Sequence, residues 1–397
     1  MTLTRRDFFK TAAAAGAGMA ASGFPVRRSR ADGHETLRIG YLPITDAAPL
    51  LIAHARGYFR EEGLKVARPR RVRSWSTLSE SFLTGKFNVT HLLLPIPVWM
   101  RYNNGAPVKV LAWDHTNGSA LTVRGDEEIR GFADLGGKQI AVPYWYSMHN
   151  IILQMGLKQA GLTPVIQSQR AALKPDEVNL FVLPPPEMPV ALSGRKIDGF
   201  IVAEPFNALS ELKINARIMR FTGDIWKNHP CCVIVMKEEF PREYAVFTQK
   251  VINGIVRAQS WAIENPEGAA RILSREGEGY LPTSEAVLKR VFTGYETETY
   301  GPGAVPQAIR HPEGGIRRIG FQPYPYPSAT RFIVREMRET VMEGDTAFLK
   351  KLSPDDAARD LVDDRFVKRA IEAVGGPDRF DLIDLEHPWQ REEVIAL

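Results

Sequence analysis

The chain is poor in the residues that staple or catalyse. Of 397 residues only two are cysteine, and they are neighbours, Cys231 and Cys232. Adjacent cysteines close a disulfide only with strain, so a disulfide framework is excluded. The pair opens "CCVIVMK", a strand-like run, and reads as two buried thiols, with a strained vicinal disulfide as the alternative. The cysteines and histidines show none of the short spacings that mark a metal site, so neither metal nor cofactor is expected. The eight histidines are scattered. There is no phosphate-binding P-loop, no GxGxxG turn after a strand, no GxSxG nucleophile elbow and no HExxH helix. These absences argue against the common enzyme classes, and a non-enzymatic role is expected. A membrane span needs roughly 20 consecutive apolar residues. No segment of that kind follows the N-terminus.

Net charge is missing too, once the first residues are set aside. Residues 1–31 hold six Lys/Arg (Arg5, Arg6, Lys10, Arg27, Arg28, Arg30) and one acid, Asp7. Removing them from the totals of 51 basic and 46 acidic residues leaves 45 of each. A neutral remainder argues against a nucleic-acid partner. The N-terminus itself runs from "TRRDFFK" through the weakly apolar "TAAAAGAGMAASGF" to "SRA" (Ser29 to Ala31) or "AAS" (Ala20 to Ser22), either of which suits cleavage. It resembles a twin-arginine signal, which implies export of the folded protein to the periplasm; a retained anchor is the alternative.

From residue 37 strands and helices alternate. "LRIGYLP" reads as a strand, followed by a helix over "TDAAPLLIAHARGYFREEGL" that Thr45 or Asp46 can cap. "NVTHLLLP", "PVKVLAWDHTN" and "SALTVRG" continue the sheet, and "GKQIAV" opens a second unit that runs to about residue 222. "CCVIVMKEEF" returns to the first unit, and the remainder is mostly helical. The reading is α/β in two lobes with largely parallel sheets. One lobe comprises 37–120 and 225–397, the other 121–224, with a ligand cleft between them.

Three helix starts follow strands and carry hydroxyls: Thr45–Asp46, Ser74–Ser76 with Trp75, and Ser147–His149 after Tyr144, Trp145 and Tyr146. A helix N-terminus offers unsatisfied N–H groups and partial positive charge, enough to hold an anion. Each hydroxyl can equally be a simple cap. Asp46 suits an anion pocket only if its charge is spent on a cap or on backbone. Glu204, in "AEPF", falls at the C-terminal edge of a buried strand, as a cleft residue or a surface carboxylate. His229, in "NHP", reads as a turn residue.

"IGYLPITDAAPLLIAHARGYFREEGL" resembles the first strand and helix of the nitrate- and bicarbonate-binding proteins of ABC importers, within the wider nitrate/sulfonate/taurine solute-binding family. "SWSTL", "THLLLPIP", "NGSALTV", "SMHNIILQMGLKQAGL", "VLPPPEMPVAL", "DGFIVAEPFNA", "DIWKNHP" and "FQPYPYPSATRFIVREM" continue the likeness in order. The resemblance implies a periplasmic binding protein of type II architecture, expected to act as a monomer. It would deliver a small anionic solute to a permease and an ATPase. His149 matches the family's pocket histidine and Trp75 a pocket tryptophan. Lys227 lies where nitrate and bicarbonate binders place charged contacts. Thr45, Asp46, Ser76, Ser119, Tyr144, Tyr146, Ser147 and Glu204 complete the expected ligand-binding set.

The departures matter. Nitrate binders generally have Gln where this chain has Ser119, glycine-rich sequence with threonine where it has "YWYSM", "GEPW" for "AEPF", and "HPEK" for "HPCC". A pocket with less amide and more aromatic surface suits an organic sulfonate or carboxylate. If Tyr144 and Trp145 pack outward, a small inorganic anion remains open. So do a ligand-binding sensor and an enzyme on the same scaffold, such as a relative of a pyrimidine-precursor synthase.

Overall fold

The computed structural model describes residues 35–312, 317–383 and 385–396. The twin-arginine segment lies outside them. Among the described residues eleven strands build two large sheets, and Thr116–Asn117 pairs with Ile319–Gly320 in a small two-stranded one. β1 (Ile39–Tyr41), β2 (Arg70–Arg71), β3 (Val89–Leu93) and β4 (Val108–Trp113) belong to the first. β5 (Ser119–Arg124), β6 (Gln139–Val142), β7 (Thr163–Val165), β8 (Glu177–Val182), β9 (Gly199–Ala203) and β10 (Ala216–Phe221) form the second. β11 (Cys232–Lys237) returns to the first, giving the orders β2-β1-β3-β11-β4 and β10-β5-β9-β6-β8-β7.

The sheets are mixed, not largely parallel as the alternation suggested. β11 runs antiparallel to both β3 and β4, and β5 antiparallel to both β9 and β10. The cause is topological. β5 and β11 are each entered by a direct crossing from the other sheet. A helical crossover keeps successive strands parallel, and here none intervenes.

The two crossings lie side by side. Residues 114–118 lead out of the first sheet and 222–231 lead back. They are stitched by Asn117 N–H to His229 O (3.1 Å), Cys231 N–H to His115 O (3.4 Å) and a bridge between Thr116 and Pro230. Gly118 adopts φ +73, and a Cβ there would stand 3.2 Å from His115 Nδ1. Glycine is therefore required both by the turn and by the imidazole beside it.

Helices cover the sheets. α1 (Ala48–Ala55) is buried along most of its length. α2 (Trp75–Leu83) begins at Ser74, whose hydroxyl accepts from Thr77 N–H. α3 (Pro95–Tyr102) starts with proline in its first turn, where no N–H is needed. α4 (Met148–Gln159) is capped by Ser147, which accepts from Asn150 N–H at 3.0 Å. The first helix departs from expectation. Thr45–Ala47 form a 3-10 turn before α1, and neither Thr45 nor Asp46 caps it. Both side chains are drawn instead into contacts with distant parts of the chain. No helix of the described residues is long and apolar enough to cross a membrane.

Two sets of contacts, among others, join the lobes. Thr45 gives both its N–H (2.8 Å) and its hydroxyl (3.0 Å) to the carbonyl of Glu204, at the end of β9. A C-terminal segment also grips α4. Gln154 donates to Val341 O (2.9 Å) and accepts from Val341 N–H (2.8 Å), while Asn150 donates to the same carbonyl (3.3 Å). Gln154→Ala removes a reciprocal pair from a buried side chain. It is expected to cost about 1–3 kcal/mol in urea unfolding; a loss within error of zero would show that water replaces it.

Glu204 supplies a pH test. Burial lifts its carboxyl from 4.5 to about 7, against the opposing hydrogen bond from Tyr295 O–H (2.5 Å). Between those values the folded state keeps a proton that the unfolded chain has lost. Its contribution to stability therefore falls as pH rises from about 4.5 to about 7, then levels off. In Glu204→Gln the amide can donate to Tyr295 and its oxygen accept from Ala208 N–H, with nothing left to titrate. Stability relative to the parent should rise by about 2–3 kcal/mol between pH 4.5 and pH 8. A difference constant with pH would remove Glu204 as the source.

Candidate functional site

Polar residues that the fold buries gather where the crossings pass the first loop. Asp46 stands between β1 and α1, Asp114 and His115 on the outgoing crossing, and Cys231 and Cys232 at the end of the returning one. All five are fully buried. Asp46 Oδ2 lies 2.8 Å from His115 Nε2, and accepts from Cys232 Sγ at 3.1 Å and Cys231 Sγ at 3.4 Å. The His115 approach does not meet hydrogen-bond geometry, and both its ring nitrogens lack a hydrogen-bond partner, as does Asp46 Oδ1.

Two side chains extend the cluster toward the second sheet. Ser119, the first residue of β5, places Oγ 2.9 Å from His149 Nε2 and 3.8 Å from Cys231 Sγ. His149 projects from the first turn of α4, 4.0 Å from Cys231 Sγ. With the Ser119 hydroxyl donating to Nε2, Nδ1 carries the ring proton, and it has no partner. On the other side, Trp75 opens α2 and meets the His91 ring edge-on at 5.6 Å. Its buried indole N–H is also unpartnered. His91 accepts from Leu42 N–H at 3.1 Å.

The electrostatics follow from burial. Desolvation holds His91 neutral, with its pKa pushed down to about 3. It raises Asp46 and, further, Asp114 above the usual carboxylate range. Burial works against a charged His115 as well, yet the Asp46 carboxylate beside it outweighs that and holds the imidazole well above its ordinary value. Cys231 is held below the ordinary thiol range, against its burial, by the Cys232 thiol and the imidazoles of His149 and His115. The chemistry on offer is a soft and borderline donor set, with the unpartnered indole N–H of Trp75 nearby in the first lobe.

The expected ligand-binding residues divide accordingly. Asp46, Ser119 and His149 come together around Cys231, while Trp75 packs against His91. Thr45 spends its hydroxyl on Glu204 O, and the Glu204 carboxyl faces Tyr295 and Ala208. Ser147 is occupied as a cap, and Ser76 is exposed beside Ser74. Tyr146 stacks on Trp99 at 5.3 Å and gives its hydroxyl to Asp345 O, while Trp145 donates to Glu343. Tyr144 stays half-buried. Lys227 is exposed, in a groove of about 330 Å³ with Asn117, Asn228, Arg317 and Arg318. The sequence reading passed over His91, Asp114 and His115, and saw the cysteines only as buried thiols. The one available signal was a dense run of polar residues, "WDHTN", straight after an apolar strand.

The model of the NMT1-like family matches residues 30–275. The nitrate/nitrite binding protein NrtA of Nostoc sp. is 26% identical over 368 residues, 86% of this chain and 78% of that protein. The crystal structure of the periplasmic nitrate-binding protein NrtA from Synechocystis PCC 6803 superposes with a TM-score of 0.72 at 20% identity, covering 91% of this chain and 93% of that one. The alkanesulfonate-binding protein SsuA from Xanthomonas axonopodis pv. citri, bound to MOPS, superposes at 0.58 with 17% identity, over 80% and 99% of the two chains. At these identities the likeness to solved structures carries the fold alone. The chain belongs to the NMT1-like family and has the two-lobed α/β fold of periplasmic binding proteins.

Proposed function

We propose that this chain is the extracytoplasmic solute-binding component of an ABC importer. It would bind a small anion between lobes bounded at 37–120 with 225–397 and at 121–224, and deliver it to a permease with its ATPase. In this reading it is exported by the twin-arginine route and works in the periplasm as a monomer. The observation that carries the proposal is a pair of buried ring nitrogens without partners, Trp75 Nε1, which is a donor, and His149 Nδ1, which is a donor when Ser119 donates to Nε2. They come from the starts of two helices in facing lobes. A buried donor left unsatisfied costs about 1–3 kcal/mol, and an oxyanion bridging the lobes would satisfy both while favouring the closed arrangement.

An organic sulfonate or carboxylate is favoured over nitrate or bicarbonate. The Trp75 ring, and the Cys231 thiol 4.0 Å from His149, offer soft and apolar surface that suits an organic substituent. Tyr146 and Trp145 add less than their sequence suggested, since their contacts are already made.

The test is a thermal-shift screen of the purified full chain against nitrate, nitrite, bicarbonate, taurine, alkyl and aryl sulfonates and aromatic carboxylates. A ligand at 100 times its Kd should stabilise by about 2.7 kcal/mol. Trp75→Phe keeps the ring and deletes the donor. It should weaken binding roughly 10- to 100-fold, the worth of one hydrogen bond to a charged group. His149→Ala should do at least as much. A response confined to inorganic anions would remove the organic preference. A response untouched by either substitution would remove this site.

A further inference from the structure

We propose that Asp46, His115, Cys231 and Cys232 form a binding site for one borderline-soft divalent transition ion of the zinc class. Their ligand atoms all lie within 4.8 Å of one another. The separations of 2.8, 3.1 and 3.4 Å around Asp46 Oδ2 fall close to the edges of a coordination tetrahedron. With Zn–S near 2.3 Å and Zn–N or Zn–O near 2.0–2.1 Å, those edges are about 3.3–3.8 Å. The contacts of Asp46 with His115 and Cys232 would lengthen by about 0.5 Å and the widest pair would close by about 1 Å to complete the geometry.

The donor atoms argue the same way. Two thiols, an imidazole nitrogen and one carboxylate oxygen select zinc, cobalt or copper over calcium or magnesium, which want oxygen ligands. A network held only by hydrogen bonds would use its polar atoms on each other. Here His115 Nε2 sits beside Asp46 without pointing at it, and both imidazole nitrogens remain unpartnered although fully buried. Such an arrangement is expected of ligands aimed at a shared point. Gly118 leaves open the space against His115 Nδ1 that a Cβ would enter.

Four protein ligands make a closed site, the structural kind. Its ligands come from the first loop and from both crossings, so the ion would fasten the hinge of the two lobes at one point. On binding, the two thiols lose their protons to solvent and the sulfurs donate electron pairs to the ion, with no change of oxidation state. The inference stands on these four side chains and does not depend on the import reading.

The full chain is unfolded under reductant, freed of metal by chelation, and refolded with Co²⁺ alone. The expected result is about one cobalt per chain, with the near-ultraviolet thiolate-to-cobalt band and the visible bands of tetrahedral cobalt. One equivalent of Zn²⁺ should bleach them, and excess Ca²⁺ or Mg²⁺ should leave them unchanged. Either ion should also raise Tm and protect both thiols from alkylation in mild denaturant. Cys232→Ser and His115→Gln should each abolish or shift the spectrum. Should a variant fail to fold, the cobalt spectrum of the parent decides the matter. Refolded parent with no thiolate band would overturn the proposal. So would equal thiol protection with and without metal, or a native protein found with Cys231 and Cys232 oxidised to each other. An anion response in the screen above would persist or vanish independently of these outcomes.

Discussion

Everything at the centre of this molecule depends on the pairing of two crossing segments. Residues 114–118 and 228–231 run alongside each other, joined by backbone hydrogen bonds between Asn117 and His229 and between Cys231 and His115. The pairing converts two separate links into one narrow ribbon. It also carries polar side chains into a place that helices and sheets close off from water. A ribbon between lobes is where relative motion is focused, and a buried polar cluster on it couples that motion to whatever the cluster holds.

The electrostatic cost of this placement is high, and the neighbouring residues show how it is managed. Two buried carboxyl groups, Asp46 and Asp114, stand near the His115 imidazole and two thiols. Asp46 is compensated by His115 and by the thiols that donate to it. Asp114 has neither oxygen satisfied. Burial, with the charge of Asp46 adding to it and His115 opposing, raises its pKa well above the usual carboxylate range. Thr45 shows the same logic in neutral form. Its hydroxyl is lost to the helix it precedes, and both its donors serve a carbonyl of the opposite lobe.

Much of the scaffold was readable in advance because its signals are local. Ser74 and Ser147 cap their helices as the strand–hydroxyl–helix pattern implies, and His149 follows within the first turn. β3, β5, β9 and β11 coincide with the apolar runs that announced them. The cluster was not readable, since Asp46 lies 185 and 186 residues from the cysteines it meets. No spacing rule spans such a gap. The partners of the aromatic run at 144–146 were out of reach for the same reason. Nothing local says that Trp99, Glu343 and Asp345 will arrive to occupy it. The mixed sheets escaped notice because strand direction is set by the crossings and not by composition.

The place of β11 has a kinetic meaning. It lies between β3 and β4 and joins the two halves of the first sheet, yet it is made only after every strand of the second. During synthesis β1 and β3 must wait, with one edge open, while more than a hundred residues of another lobe emerge. The second sheet can finish pairing from contiguous chain, whereas the first is completed only by a late, long-range insertion. Contacts of such separation slow folding and prolong the exposure of unpaired edges. The same strand that delivers Cys232 to the hinge is thus the closing step of the first lobe, and the assembled cluster marks a chain whose topology is complete.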